Sequence, residues 1–444
     1  MKDAIGYDIS GANARSGPAL EQALRELRCY IGDPVATIEA ALAESPEFVM
    51  GYILKAYLHL IGTEPAGLPV ARTAHQIADA LPANERERRH LQAIAHLVEG
   101  RWRAAGMALE DLSMDYPRDG LALQVGHLID FFTGDSRMLR DRIARALPAW
   151  DDAVPGYHAV LGMHAFGLEE TGSYARAESE GRKSVELEPR DGWGQHAVAH
   201  VMEMQGRRRD GIAWMRANPD AWSRESFFAR HNWWHVALFH LGLGEIDEVL
   251  KLYDGPIYGS RSNVILDMID ASALLWRLDL LGVDVGDRWR PLADAWAPFA
   301  TAANYAFNDM HAMMAFVGAN RFDCADALLE AQRAAMQGPG DNAAFLSEVG
   351  RAATLAIRAF GERRYAETVC LLRPIRNYAH RFGGSHAQRD LIDLTLIEAA
   401  VRSGQERLAA ALAAERRSAK GETLPVRIGS PLLRRSDDVL VAAG

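Results

Sequence analysis

Cysteine is nearly absent. The 444-residue chain holds three, Cys29, Cys324 and Cys370, an odd number spread far apart. That excludes a disulfide scaffold and fits a reducing compartment. There is no CxxC pair for zinc or redox work, no GxGxxG or GxxxxGK[ST] phosphate loop, and no GxSxG elbow. Long apolar runs are missing too. None nears the ~18 residues a membrane span needs. The most apolar short run, Trp233 to Phe239, is broken by His240. The opening MKDAIGYDISGANARSGPAL has no apolar h-region, so no secretory leader is expected. Positive charge is in deficit, 49 basic against 59 acidic side chains, a net −10. Phosphate backbones are repelled by such a chain on average, so nucleic acid is not an expected partner. These exclusions lead us to expect a cytoplasmic protein with no membrane partner.

Apolar residues make up 49% of the chain and charged residues 24%, as in globular proteins able to bury a large core. Prolines punctuate it at Pro46, Pro82, Pro117, Pro189, Pro219 and Pro256, in steps of 36, 35, 72, 30 and 37. The step of 72 is two of 36. This is close to the 34-residue helix–turn–helix period of tetratricopeptide repeats, and proline suits a hairpin boundary because it cannot continue a helix. The stretch from Gly156 to Pro189 shows one unit: a helix over Tyr157–Glu170, a break at Gly172, and a second helix from Tyr174 toward Pro189. The same rule predicts first helices near 17–31, 47–61, 84–99, 119–133, 156–170, 192–205, 227–242, 263–281, 302–317, 342–359 and 385–403. No period-2 strand runs appear. The expectation is all-α: one α-solenoid of about ten to eleven divergent TPR-like hairpins over 1–420, with 421–444 as an extended tail.

Histidine is where the polar chemistry concentrates. Thirteen of the 15 histidines fall on predicted first helices, the helices that line the concave face in this architecture. In QHAVAHVMEMQG, His196, His200 and Glu203 are spaced i, i+4 and i+7 on one helix face, a set able to hold zinc or relay a proton. It is not the zincin HExxH, since Ala197 follows His196. A fourth zinc ligand is expected from His235 or His231. In ARHNWWHVALFHLG, His231 and His235 share a face, with Arg230 before them and Trp233 and Trp234 between them, as ligand walls or as core. In NDMHAMMAF, Asn308 and His311 lie i, i+3, with Asp309 pointing elsewhere or capping the helix. In GGSHAQRDLID, Ser385 is a good N-cap, and His386, Arg389 and Asp390 project from the first turns. Arg389 with the exposed N–H groups suits an anion. Asp390 either shares a proton with His386 or is served by a neighbouring arginine in an intrahelical ion pair.

Taken in order, QHAVAHVMEMQGR, HNWWHVALFHL, LYDGPIY, NDMHAMMAF and GGSHAQRDLID resemble the tetratricopeptide repeat protein 38 family over most of the chain, from Ala19 to about Arg416. The resemblance implies a cytoplasmic solenoid of divergent repeats and no assigned reaction. Two functions are consistent with the residues. One is a His/Trp-lined pocket for a small anionic molecule. His200, His231, His235, His311 and His386 would surround it for acid/base chemistry, Trp233, Trp234, Arg230, Asn308, Arg389 and Asp390 would contact the ligand, and zinc is the candidate cofactor. The other is a scaffold binding a peptide or partner protein. The non-repeating His and Trp favour the first.

Overall fold

A computed structural model describes residues 1–420; the tail expected over 421–444 lies outside the described residues. The described residues are all-helical, with no β-strand and two isolated bridges, Lys2 with Asp8 and Ile31 with Ser226. They form eleven successive helix pairs, from Ser16–Cys29 with Pro34–Glu44 to His386–Arg402 with Glu406–Lys420. Two short helices, Pro219–Ser223 and Asp341–Phe345, stand outside the pairs. No helix is long and apolar enough to cross a membrane. The chain divides into two compact units. One comprises Met1–Val201, Ala213–His235 and Pro339–Asp341, the other Met202–Ile212, Val236–Gly338 and the described residues from Asn342 onward.

The two helices of a pair differ in composition, and this sets their place. Every residue from Ala159 to Glu170 of the helix Tyr157–Glu170 is buried. A helix buried on all sides can only sit between neighbours. Its partner Tyr174–Leu187 buries only Ala177, Gly181 and Ser184, an i, i+4, i+7 stripe with charges elsewhere. Small residues set the packing distance. A Cβ on Gly162 would stand 3.2 Å from the Gly194 amide, and one on Gly167 would lie 2.5 Å from the Leu139 and Arg140 backbone. Polar caps fix where first helices start. Asn84 and Glu87 form a reciprocal capping box, and Asp119 accepts from the Ala122 amide.

The thirteen histidines expected on first helices all lie on them. Of the other two, His75 sits on the helix Gly67–Asp79 and His380 in the 3₁₀ stretch Arg376–Phe382.

A candidate metal centre

Four of those histidines meet. His196 and His200 project one turn apart from the helix Gly192–Met204; His231 and His235 do so from the helix Ala229–Leu243. One donor atom from each lies within 4.8 Å of the other three. His196 Nε2 is 3.0 Å from His231 Nε2, and His231 Nε2 is 3.3 Å from His235 Nε2. A tetrahedral ion with metal–nitrogen bonds of 2.0–2.1 Å has nitrogens about 3.3 Å apart along its edges. The two Nε2 spacings of 3.0 and 3.3 Å are close to that edge. His196, His200 and His235 are at most 2% exposed and His231 is half-buried, so the set has one solvent-facing member.

Helical period explains which residues of HNWWH take part. Residues 231, 234 and 235 fall on one side of the helix, and 233 on the opposite side. Trp234, fully buried, stacks on His231 with centroids 5.4 Å apart and meets His235 edge-on at 5.0 Å. Trp233 packs instead on Trp222 at 4.9 Å. Asn232 was not singled out in the sequence, yet its Nδ2 donates to the Gly192 carbonyl at 3.1 Å and so ties together the two helices that carry the histidines. Arg230 is half-buried, one residue before His231.

Aromatic rings close the other sides. Phe166 stacks on His196 at 5.4 Å and meets His200 edge-on at 5.2 Å; Trp193 and Phe228 lie 4.9 and 5.2 Å from His196. Burial, then the neighbouring imidazoles His200, His231 and His235, hold His196 well below the usual histidine range. It is therefore neutral at neutral pH, the form that ligates metal. Behind His200, Glu169 Oε2 stands 3.5 Å from Nδ1, and Glu169, Glu170 and His200 form a second donor set sharing that histidine.

Glu203 is outside both donor sets; its Oε1 lies 3.5 Å from Lys420 Nζ. The i+7 spacing gave the right angular phase. The Lys420 ammonium, on the helix Glu406–Lys420, draws the carboxylate instead, a partner that helical spacing cannot reveal.

The remaining candidates belong to the second unit. His311 is fully buried. Its Nδ1 donates to the Phe307 carbonyl at 2.8 Å, and burial pushes its pKa down to about 4, with Arg277 adding to the effect, so it is neutral. Asn308 beside it is 3% exposed. Asp309 caps nothing: it is buried, with Gln332 Nε2 donating to Oδ2 at 3.0 Å. Ser385 is the expected N-cap, in a capping box with Gln388. Arg389 donates to the Gly384 carbonyl of its own helix start and lies 3.4 Å from His386 Nδ1. Asp390 takes two hydrogen bonds from Arg416, at 2.7 and 2.8 Å, with Lys420 at 3.0 Å. The arginine is not the intrahelical neighbour expected from the sequence but Arg416, on the helix Glu406–Lys420. Burial alone raises this carboxyl, but Arg416 and Lys420 outweigh it and hold it far below the carboxylate range.

No family model matches the chain.

Proposed function

We propose that the protein binds a divalent transition ion of the zinc class through His196, His200, His231 and His235, and that a small anionic molecule reaches this centre on the His231 side. One observation carries the reading: imidazoles of two different helices converge with Nε2 atoms 3.0 and 3.3 Å apart inside an aromatic wall. Neutral imidazole suits zinc, copper, nickel and iron alike. When bound, such an ion supplies Lewis acidity and a water of lowered pKa. The chain's own residues do the rest. Phe166 and Trp234 exclude water from the buried ligands, and the half-buried His231, with Arg230 beside it, leaves a side for an anion to approach. A groove that only held a peptide would have no use for a buried set of four imidazoles, which favours ligand binding over a scaffold. On the motifs that supply these ligands, we also place the chain with the tetratricopeptide repeat protein 38 family and read its eleven pairs as a solenoid.

Elemental analysis after purification without chelator, followed by zinc reconstitution, tests the reading. Roughly one ion per chain is expected in the wild type, and little in the variant carrying both His200→Ala and His235→Ala. A reconstituted wild type holding under about 0.1 ion per chain would mean that the imidazoles only hydrogen-bond to one another.

A further inference from the structure

The second unit holds a cavity that makes no use of the histidines. Its frame is the segment LYDGPIYGSR. After the helix Ile246–Leu252 the backbone widens into a π-type turn over Tyr253–Ile257, in which Gly255 takes φ −101° and ψ −107°. The Tyr258 amide donates to the Tyr253 carbonyl at 2.9 Å, a five-residue closure. A turn of that period brings residues five apart to the same side, and π-turns concentrate at functional sites. Tyr253 and Tyr258 accordingly stand side by side, centroids 5.9 Å apart. Only glycine fits at 259, where a Cβ would lie 2.2 Å from the Asp254 carbonyl oxygen. Arg261 then takes φ +53°. A non-glycine residue in that region costs on the order of 1 kcal/mol or more, and such strain clusters at binding sites.

Tyr253, Tyr258 and Arg261 line a cavity of about 700 Å³, together with Asp254, Arg288 and Arg290. That volume is ordinary for a small-molecule site. Most charges around it are already matched. Arg288 donates twice to Asp254, at 2.8 and 2.6 Å; Arg290 is 3.4 Å from Asp287; Arg321 holds Asp294 at 2.9 Å. Two kinds of group are not matched. Arg261 is exposed and has no carboxylate partner among the described residues. Tyr253 and Tyr258 are each 3% exposed, and neither hydroxyl has a hydrogen-bond partner among the described residues. Burial pushes both phenols up, Tyr258 to about 12, so both keep their protons at neutral pH. A buried O–H left without an acceptor is costly, and native structures rarely keep two side by side.

We propose that this cavity binds a small oxyanion, the phosphate or carboxylate of a metabolite, with Arg261 taking its anionic oxygens and the hydroxyls of Tyr253 and Tyr258 donating to it. Arginine's planar fork suits either anion, and charge-assisted bonds are the strong ones. The proposal does not depend on metal binding, since no histidine lines this wall.

Isothermal calorimetry on the full chain, with inorganic phosphate in one arm, citrate in another and sodium chloride of matched ionic strength as control, tests it. Saturable binding is expected in the phosphate or the citrate arm and not with chloride; the tighter arm identifies the source of the oxyanion. Arg261→Gln should weaken that binding about tenfold or more. The double variant Tyr253→Phe with Tyr258→Phe should weaken it severalfold while its melting temperature holds or rises, because it removes two unpaired hydroxyls without changing volume. No saturable heat with either anion up to about 10 mM would overturn the proposal. So would wild-type affinity in Arg261→Gln. A lower melting temperature in the phenylalanine variant without loss of binding would assign the hydroxyls a structural role and remove them from the site.

Discussion

Asp309 is a carboxyl enclosed by helix, and burial pushes its pKa up to about 7 from the ordinary 3.8, against the pull of its hydrogen bond from Gln332. Between about pH 4 and pH 7 the folded chain therefore holds a proton that the unfolded chain has released. Stability must fall as pH rises through that window, by at most about 1.4 kcal/mol per pH unit. Asp309→Asn keeps the shape and the acceptor for Gln332 but cannot ionise. We predict that its stability in urea exceeds that of the wild type at about pH 8, and that the gap closes toward about pH 4. A pH-independent gap would mean that Asp309 is not the group responsible. The sequence could place Asp309 next to Asn308 and His311, but its burial depends on Gln332 and Thr354, residues on two later helices. Asp390 carries the same lesson. Its partner Arg416 is 26 positions away on the next helix, a distance no i, i+4 rule reaches.

Among elements, the close approach of the helix Tyr157–Glu170 to Ser136–Ala146 depends on Gly167. A methyl there would collide with the Leu139 and Arg140 backbone, which cannot rotate away as a side chain can. Gly167→Ala should cost roughly 1–3 kcal/mol in denaturant unfolding despite alanine's better helix propensity. If propensity prevailed the variant would be more stable, so the sign alone decides. Most helices were legible because glycine and proline mark their ends: the stretch 156–170 read from sequence is Tyr157–Glu170 in the structure. The tenth pair was blurred. A π-type turn over Leu346–Gly350 separates Asp341–Phe345 from Arg351–Gly361, and no glycine or proline marks where it begins.

For the molecule as a whole, the four-histidine centre joins two i, i+4 pairs from two different helices. His231 is 35 residues after His196, and His235 is 35 after His200. The two pairs meet across the helices Gly192–Met204 and Ala229–Leu243, His196 against His231 at 3.0 Å. The sequence led us to expect one ligand from His231 or His235 and another from Glu203; the structure brings in both histidines and leaves Glu203 out. Because the ligands come from two helix pairs, an ion bound there stabilises the folded chain by mass action, about 2.7 kcal/mol at a hundredfold excess over Kd. Added zinc should raise the wild-type melting temperature and leave that of His235→Ala unmoved. Equal rises in both would place the zinc elsewhere.

Asp191 precedes the helix that bears His196 and His200, and it does more than cap that helix. Its Oδ1 accepts the Trp193 and Gly194 amides at 3.1 and 2.9 Å. Its Oδ2 takes Ser184 Oγ from the helix before at 2.8 Å and His158 Nδ1 from the helix before that at 2.7 Å. One carboxylate thus fastens three consecutive helices, and none of them can open at that end without disturbing the others. In native-state hydrogen exchange, the amides that start the helix Gly192–Met204 should exchange with the same opening free energy as those near His158 and Ser184, as one cooperative block. Asp191→Ala should split that block. Protection would fall first at the start of Gly192–Met204, where two amide donors lose their acceptor, while the Tyr157–Glu170 interior kept most of its own.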